Sequence, residues 1–479
     1  MKKSLLILFL LFSASKIFAQ SFAQYNTGTL FDSFENPAQR SFIPDSSRKL
    51  AFNLFVPNFD GNFSLTGDAQ QTLKNRQFNG YYNNKALVTG LGNHFNYLLA
   101  NANVYAIMFK IFGSLNGDSE FGFFANSKAE ARGVFTDESI ALFDGEGSFA
   151  NSSYTNVLNS KYQYQIYNSV GMTYREQVTR QLALGFKLGY IAGYESGRVN
   201  IGQSSLTFDQ AAGTANMALQ GESQKTSLVN TKPFKNPGVT FSIGSIYKTQ
   251  DDFIIQANIK DLGFIHWDRF VDKYNFNGSG VITDLVSNQR EKMVYNTYSN
   301  IIGTGKTIDT TYNTPLDGRA ELSVSKMLWA NDDYSWKYTP TLIASKELFY
   351  TGFIAALVNP ITYNNKYTLT LTGAYTDTKL FSLGAQFMIK SPNAEFFIGS
   401  DRLTNSLNAL SASGKNQAAI NANPAFTGAD VTLGMAIKFG NVIEHPMNAS
   451  LIPMDPDKGL LGRIWRKIFR PNDGQIRNN

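Results

Sequence analysis

The 479-residue chain has no cysteine and only three histidines. The first absence removes disulfides, thiolate metal sites and a lipid-anchoring cysteine. The second leaves His94, His266 and His445, each without a partner at metal-ligand spacing in the sequence. No Gly-x-Ser-x-Gly elbow and no phosphate loop occurs. Beyond the leader, no stretch approaches the roughly 20 continuous apolar residues that an α-helical membrane span needs. A strong charge of one sign is missing too. The formal charge is +6, but three lysines sit in the leader (Lys2, Lys3, Lys16) and the last 39 residues carry six basic against four acidic groups. What remains is close to neutral, so no nucleic-acid partner is implied.

What is present is alternation. In Asp430–Phe439, Val431, Leu433, Met435, Ile437 and Phe439 fall on one side of an extended strand, and Thr432, Gly434, Ala436 and Lys438 on the other. Gln181–Ile191 sets Leu182, Leu184, Phe186, Leu188 and Tyr190 against Ala183, Gly185, Lys187 and Gly189. Tyr367, Leu369 and Leu371 alternate with threonines, and Val239, Phe241 and Ile243 oppose Thr240, Ser242 and Gly244. Repeated along an exported chain, a large apolar face opposite a small polar one reads as lipid outside and lumen inside. A composition of 14% aromatic but only 43% hydrophobic residues fits strands that are half polar.

Export is read from the first residues. Lys2 and Lys3 precede the short apolar run Leu5–Phe12, and Ala19-Gln20 is a plausible cleavage point, so residues 1–19 read as a signal peptide. Strands are expected at 49–65, 97–113, 119–134, 162–174, 180–193, 238–247, 251–264, 318–329, 335–345, 350–358, 366–375, 378–390, 394–402 and 429–439. The long connections 66–96, 135–161, 194–237, 265–317 and 403–428 then all follow odd-numbered strands. That places them outside the cell and the short turns in the periplasm. Trp329 and Trp336 flank one such turn, and Trp267 lies just past the outer end of a strand. All three are expected at the bilayer interface.

Ahead of the first strand, residues 20–48 contain Phe34-Glu35-Asn36-Pro37-Ala38. Asn-Pro-Ala shortly before the first strand resembles the FadL-like long-chain fatty-acid transporters of Gram-negative outer membranes. That resemblance implies an N-terminal hatch inside a 14-stranded barrel, with Asn36, Pro37 and Ala38 as the plug motif. The Gly/Ala-rich run usual before the motif is missing. With Asp261-Leu262-Gly263-Phe264-Ile265 and Phe397-Ile398-Gly399-Ser400-Asp401, the chain is also similar to a family of outer-membrane barrels known only as a domain of unknown function.

Alternation points Lys187, Lys260, Arg319, Glu321, Lys390 and Lys438 into the lumen, where a water-filled interior is expected to solvate them. Glu35 and Arg40, beside the Asn-Pro-Ala, are in position to bond to the barrel wall. In the tail, residues 441–479, Leu460, Leu461, Ile464, Trp465, Ile468 and Phe469 fall on one helical arc. Arg463, Arg466, Lys467 and Arg470 take the opposite one. Such a basic amphipathic helix suits a membrane surface on the periplasmic side, a protein partner there, or packing under the barrel mouth.

The sequence therefore specifies an all-β protein, a transmembrane antiparallel β-barrel of about 14 strands over 49–440, with an N-terminal plug segment and a C-terminal periplasmic helix. The expected role is passage or binding of a small, hydrophobic molecule in the cell outer membrane, without catalysis, metal or cofactor. The alternative is a structural component of a secretion or surface-assembly machine, with a periplasmic or outer-membrane protein partner. Catalysis by His266 near the outer rim is the remaining class, and a lone histidine beside Trp267 argues against it.

Overall fold

The computed structural model describes residues 27–41, 48–53, 56–113, 118–226, 236–303, 308–350, 352–376, 381–412 and 428–442, together with Leu461 and Ile464. The expected signal peptide lies outside these residues. So do Arg463, Trp465, Arg466, Lys467 and Arg470 of the expected tail helix.

The alternating segments form 14 barrel strands, closed on themselves and antiparallel throughout. They are β1 (Arg48–Phe52 and Asn58–Thr66), β2 (Phe95–Phe112), β3 (Ser119–Thr136), β4 (Lys161–Gln177), β5 (Leu182–Asp209), β6 (Pro237–Lys248) and β7 (Ile254–Ile282). They continue with β8 (Arg319–Ser325), β9 (Thr341–Glu347), β10 (Phe353–Tyr363), β11 (Tyr367–Thr376), β12 (Phe381–Lys390), β13 (Ala394–Ser400) and β14 (Gly428–Val442). Closure is direct: β1 pairs with β2 on one side and with β14 on the other.

Burial along β11 fixes which face is which. Leu371 is 51% exposed while its neighbour Thr370 is 1% exposed. Val239, Phe241 and Ile243 on β6 are likewise exposed, and Thr240 and Ser242 buried. A soluble sheet buries its apolar side; here the apolar side is the outer one, all round a closed barrel. Leaving so many Leu, Ile and Phe side chains in water would forfeit roughly 1.5–3 kcal/mol each, so the outer surface is built for lipid. Trp329 and Trp336, both exposed, sit in a small hairpin (Trp329–Ala330 with Trp336–Tyr338) at the short-turn end. There Trp336 lies 4.6 Å from the Tyr363 ring. An interfacial aromatic belt has this placement.

Four features depart from the strand expectations. The first strand is interrupted between Phe52 and Asn58, where the chain carries Pro57. Side-chain amides patch the ladder there: Asn53 Oδ1 accepts from Met108 N (2.8 Å) and Asn58 Oδ1 from Met435 N (3.0 Å). Strands expected at 318–329 and 335–345 end and begin instead at Ser325 and Thr341, with the small hairpin between them.

The expected loops 194–237 and 265–317 are largely ordered structure. β5 and β7 run past the barrel, and Thr214–Thr226 pairs with both extensions. Leu206, Met217, Leu219 and Phe276 there make an apolar core with Leu142, Tyr154 and Leu158, covered by the helix Arg290–Gly303 through Val294 and Ile301. These extensions alternate like the barrel, but their apolar face meets protein, not lipid.

The fourth departure concerns Trp267, which is fully buried rather than interfacial. β7 does not stop near residue 264, and a bulge between Ile259 and Leu262 puts both Lys260 and Asp261 on the inner face. Asp261 adopts φ 49°, the left-handed region that a bulge of this kind uses. Parity downstream is thereby shifted. Ile265 and Trp267 point inward, Trp267 Nε1 donates to Thr314 Oγ1 (2.8 Å), and its ring stacks on Tyr312 at 6.3 Å.

Replacing Leu371 by arginine puts a charge on the lipid face at mid-strand. It should cost about 2–4 kcal/mol of folding stability in bilayers, measured by urea titration of the refolded barrel.

Candidate functional site

Residues 27–41 lie inside the barrel. A short helix, α1 (Asp32–Glu35), presents Phe31 and Phe34 to inward-facing aromatics. Phe31 meets Tyr105 at 5.8 Å and Phe397 at 5.7 Å, and Phe34 meets Phe124 at 6.1 Å. Thr29, Leu30, Ser33 and Ala38 are completely buried.

Asn36, Pro37 and Ala38 sit against the wall at Gly185 on β5 and Gly244 on β6, which are register partners. A Cβ on Gly185 would lie 2.1 Å from the Pro37 carbonyl oxygen, and one on Gly244 would lie 2.2 Å from Asn36 Oδ1. Only glycine leaves this groove open. The asparagine closes its own turn, accepting from Ala38 N (3.1 Å), and donates Nδ2 to Gln256 Oε1 (3.0 Å). Arg175 Nε donates to the Ala38 carbonyl at 2.8 Å.

Glu35 bonds to both β2 and β7. Its carboxylate accepts from Tyr105 OH (2.9 Å) and Asn103 Nδ2 (3.2 Å) and pairs with Lys260 (3.5 Å). Its carbonyl accepts from Asn258 (3.1 Å). Lys260 is shared with Glu321 (3.1 Å). Lys187 donates to Tyr105 OH (2.8 Å) and lies 3.9 Å from Asp261, which also pairs with Lys128. Above these, Arg132 bridges Asp317 and Glu347, and Arg319 bonds Asp317 at 2.8 Å. Lys390 donates to the carbonyls of Thr27 (3.0 Å) and Gly28. Lys438 pairs with Glu395 (3.0 Å), which accepts from Leu30 N.

All six charges singled out from alternation thus meet a carboxylate, a basic group or a backbone carbonyl. Arg40 reaches Gln177 at 3.4 Å. Lys110, Glu120, Lys128, Arg132, Asp261, Asp317 and Glu347 belong to the same network and are not among the charges expected from alternation. Among them Lys110 and Glu120 pair at 3.3 Å with no exposure at all, and Glu120 accepts from Ser41 Oγ (2.9 Å). The signal was available on β3, where Glu120, Lys128, Glu130 and Arg132 share one parity. Asp261 was hidden by the bulge.

Toward the long-loop end, Arg132 and Glu347 of this network line an open pocket of about 550 Å³. It is lined by the upper ends of β1 to β5, the β9–β10 turn and Arg402, with Arg132 and Tyr350 in its walls. The Arg132 guanidinium stacks 4.2 Å from the Tyr350 ring centre.

At the tops of β1 to β3, His94 is not isolated. Nδ1 lies 3.3 Å from Asp68, and Asp137 completes a group whose ligand atoms lie within 4.8 Å. Both Asp137 oxygens are engaged, by Val88 N (2.8 Å) and Asn96 Nδ2 (2.7 Å), and burial pushes its carboxyl above the usual range. This reads as a loop tie. His266 contacts the Asn313 side chain at 2.8 Å, and His445 lies outside the described residues.

A closed barrel with a lipid-facing outer surface, a filled lumen and a pocket at one mouth is the architecture of an outer-membrane-type barrel. The chain belongs to the family of unknown function DUF5723, whose model matches residues 42–401. Among solved structures it is similar to the Ralstonia pickettii toluene transporter TbuX, at 10% identity over 85% of this chain and 94% of that one, with a TM-score of 0.40. A Pseudomonas aeruginosa FadL homologue gives 12% identity over 87% and 92%, TM-score 0.37. A TodX deltaS2S3 mutant monoaromatic hydrocarbon channel gives 11% over 81% and 89%, TM-score 0.40. No curated protein matches the chain significantly. At such scores the cargo of those proteins does not transfer to this one.

Changing Lys260 to methionine strands Glu35 and Glu321 together without their shared cation. Breaking a buried pair in this way costs about 3–5 kcal/mol, so the variant's unfolding midpoint in urea should fall well below that of the parent.

Proposed function

We propose that the protein resides in the outer membrane, binds a small molecule with an apolar body in the mouth pocket, and passes it inward when residues 27–41 shift. It does so without catalysis or cofactor. The observation that supports this reading is an open pocket of about 550 Å³ toward the long-loop end together with the burial of residues 27–41 among inward-facing side chains. That size suits a small ligand. Hydrogen bonds, ion pairs and the packing of Phe31 and Phe34 hold the segment, so it can leave without a covalent step. Asn36, Pro37 and Ala38 are the pivot in this scheme, and the charges at Lys187, Lys260, Arg319 and Glu321 keep the empty lumen shut.

A second reading, as a component of a surface-assembly machine with a protein partner, is favoured by the cored arm built from β5, Thr214–Thr226 and β7. A pore rim alone does not require it.

One experiment separates the two. Liposomes containing the full protein should swell slowly in solutes of small-ligand size, and those containing a variant lacking residues 27–41 should swell fast. A disulfide between Asn36→Cys and Gln256→Cys, introduced into the cysteine-free chain, should keep the protein closed until reduced. If neither form passes solute nor binds apolar probes, the transport reading fails and the scaffold reading stands.

A further inference from the structure

The lining of the mouth pocket is not electrically balanced. It contains four cations, Arg132, Lys161, Arg198 and Arg402, and a single carboxylate, Glu347. Arg132 is already neutralised, because it holds both Glu347 and Asp317. Lys161 and Arg198 have no carboxylate within ion-pair distance among the described residues, whereas Arg402 lies near Asp430 and Asp401. Arg402 is buried and spends one guanidinium nitrogen on the Phe63 carbonyl at 3.0 Å. Lys161 and Arg198 are exposed to the pocket.

Strand register places these groups relative to one another. Arg132 on β3, Gln163 on β4 and Arg198 on β5 form one cross-strand row. Lys161 is two residues along β4 from Gln163, so it shares their face, and it stands opposite Asn200. Lys161 and Arg198 are therefore diagonal neighbours, roughly 7–8 Å apart at Cα and within reach of one ligand group. Two like charges side by side on one sheet face repel. In a recess walled by protein their field is concentrated rather than dispersed. Tyr350, stacked 4.2 Å from the Arg132 guanidinium, gives the pocket an aromatic surface for a ligand body.

We propose that the ligand of this pocket is a small organic dianion, a phosphate monoester on an aromatic or aliphatic body. Its oxyanion head lies between Lys161 and Arg198, with Arg402 facing it, and its body lies against Tyr350. A guanidinium offers a planar fork to phosphate oxygens and a lysine offers a point charge, so the pair accepts a doubly charged head better than a neutral or singly charged one. This rests on the pocket being the ligand site under the preceding reading, and names the class of molecule it takes.

The test uses the full chain in detergent, with phenyl phosphate, inorganic phosphate and phenol as calorimetric probes, and compares it with a Lys161→Gln/Arg198→Gln double variant. Neither residue is part of the closed ion-pair network, and heat-modifiable gel migration checks that the variant is folded. Phenyl phosphate should bind more tightly than either fragment, and the variant should weaken it by at least about tenfold per charge removed. Phenol binding as well as phenyl phosphate would overturn the dianion while leaving the pocket as a ligand site. Inorganic phosphate matching phenyl phosphate would overturn the organic body. Binding of none of the three, or binding untouched in the variant, would overturn the proposal outright.

Discussion

The carboxylate of Glu35 is the contact on which the rest of the interior depends. It comes from a segment that precedes the barrel in sequence, and it is met by groups on β2 and β7. A carboxylate enclosed in a barrel is tolerated only if paired and hydrogen-bonded, and Glu35 has both. The wall reciprocates: without it, Lys260 and Tyr105 would each lose a partner. The segment and the wall therefore stabilise each other, since the Glu35 carboxylate would lose its partners without the wall and Lys260 would keep only Glu321 as an ion-pair partner among the described residues.

This arrangement turns the usual design of a globular protein inside out. The apolar side chains of β6, β11 and β12 face lipid, whereas threonine, serine and a mesh of lysine, arginine, aspartate and glutamate fill the centre. A charged interior cannot be held by shape alone, since each ion needs a counterion in range. Glycine has a parallel role at the two positions where Asn36 and Pro37 press on the wall. There the backbone of one element fits against another only because no side chain intervenes.

Much of this was legible in the sequence, and the limits are physical. β11 and β14 could be read residue by residue, because a two-residue period with unlike faces has one extended solution. The inward direction of Lys187, Lys260 and Lys438 followed from the same period. Their partners did not, since Glu35 meets Lys260 across 225 residues and Arg132 meets Asp317 across 185. Nothing local encodes such pairs. Trp267 was misplaced because one bulge at Asp261 shifts parity for the rest of the strand, and a bulge costs only one extra residue. The extensions of β5 and β7 read as loops in the sequence because their apolar residues serve a core that only the assembled arm creates.

Amide hydrogen exchange on the full chain in lipid discs tests most directly whether residues 27–41 close the lumen through these contacts. The backbone N–H groups of Leu30 and Ala38 are bonded to Glu395 and Asn36 deep inside the barrel. The account predicts that peptides covering Leu30 to Gln39 exchange as slowly as those from β3 and β5. Exchange of those peptides at the rate of an unstructured chain, with the strands still protected, would contradict it.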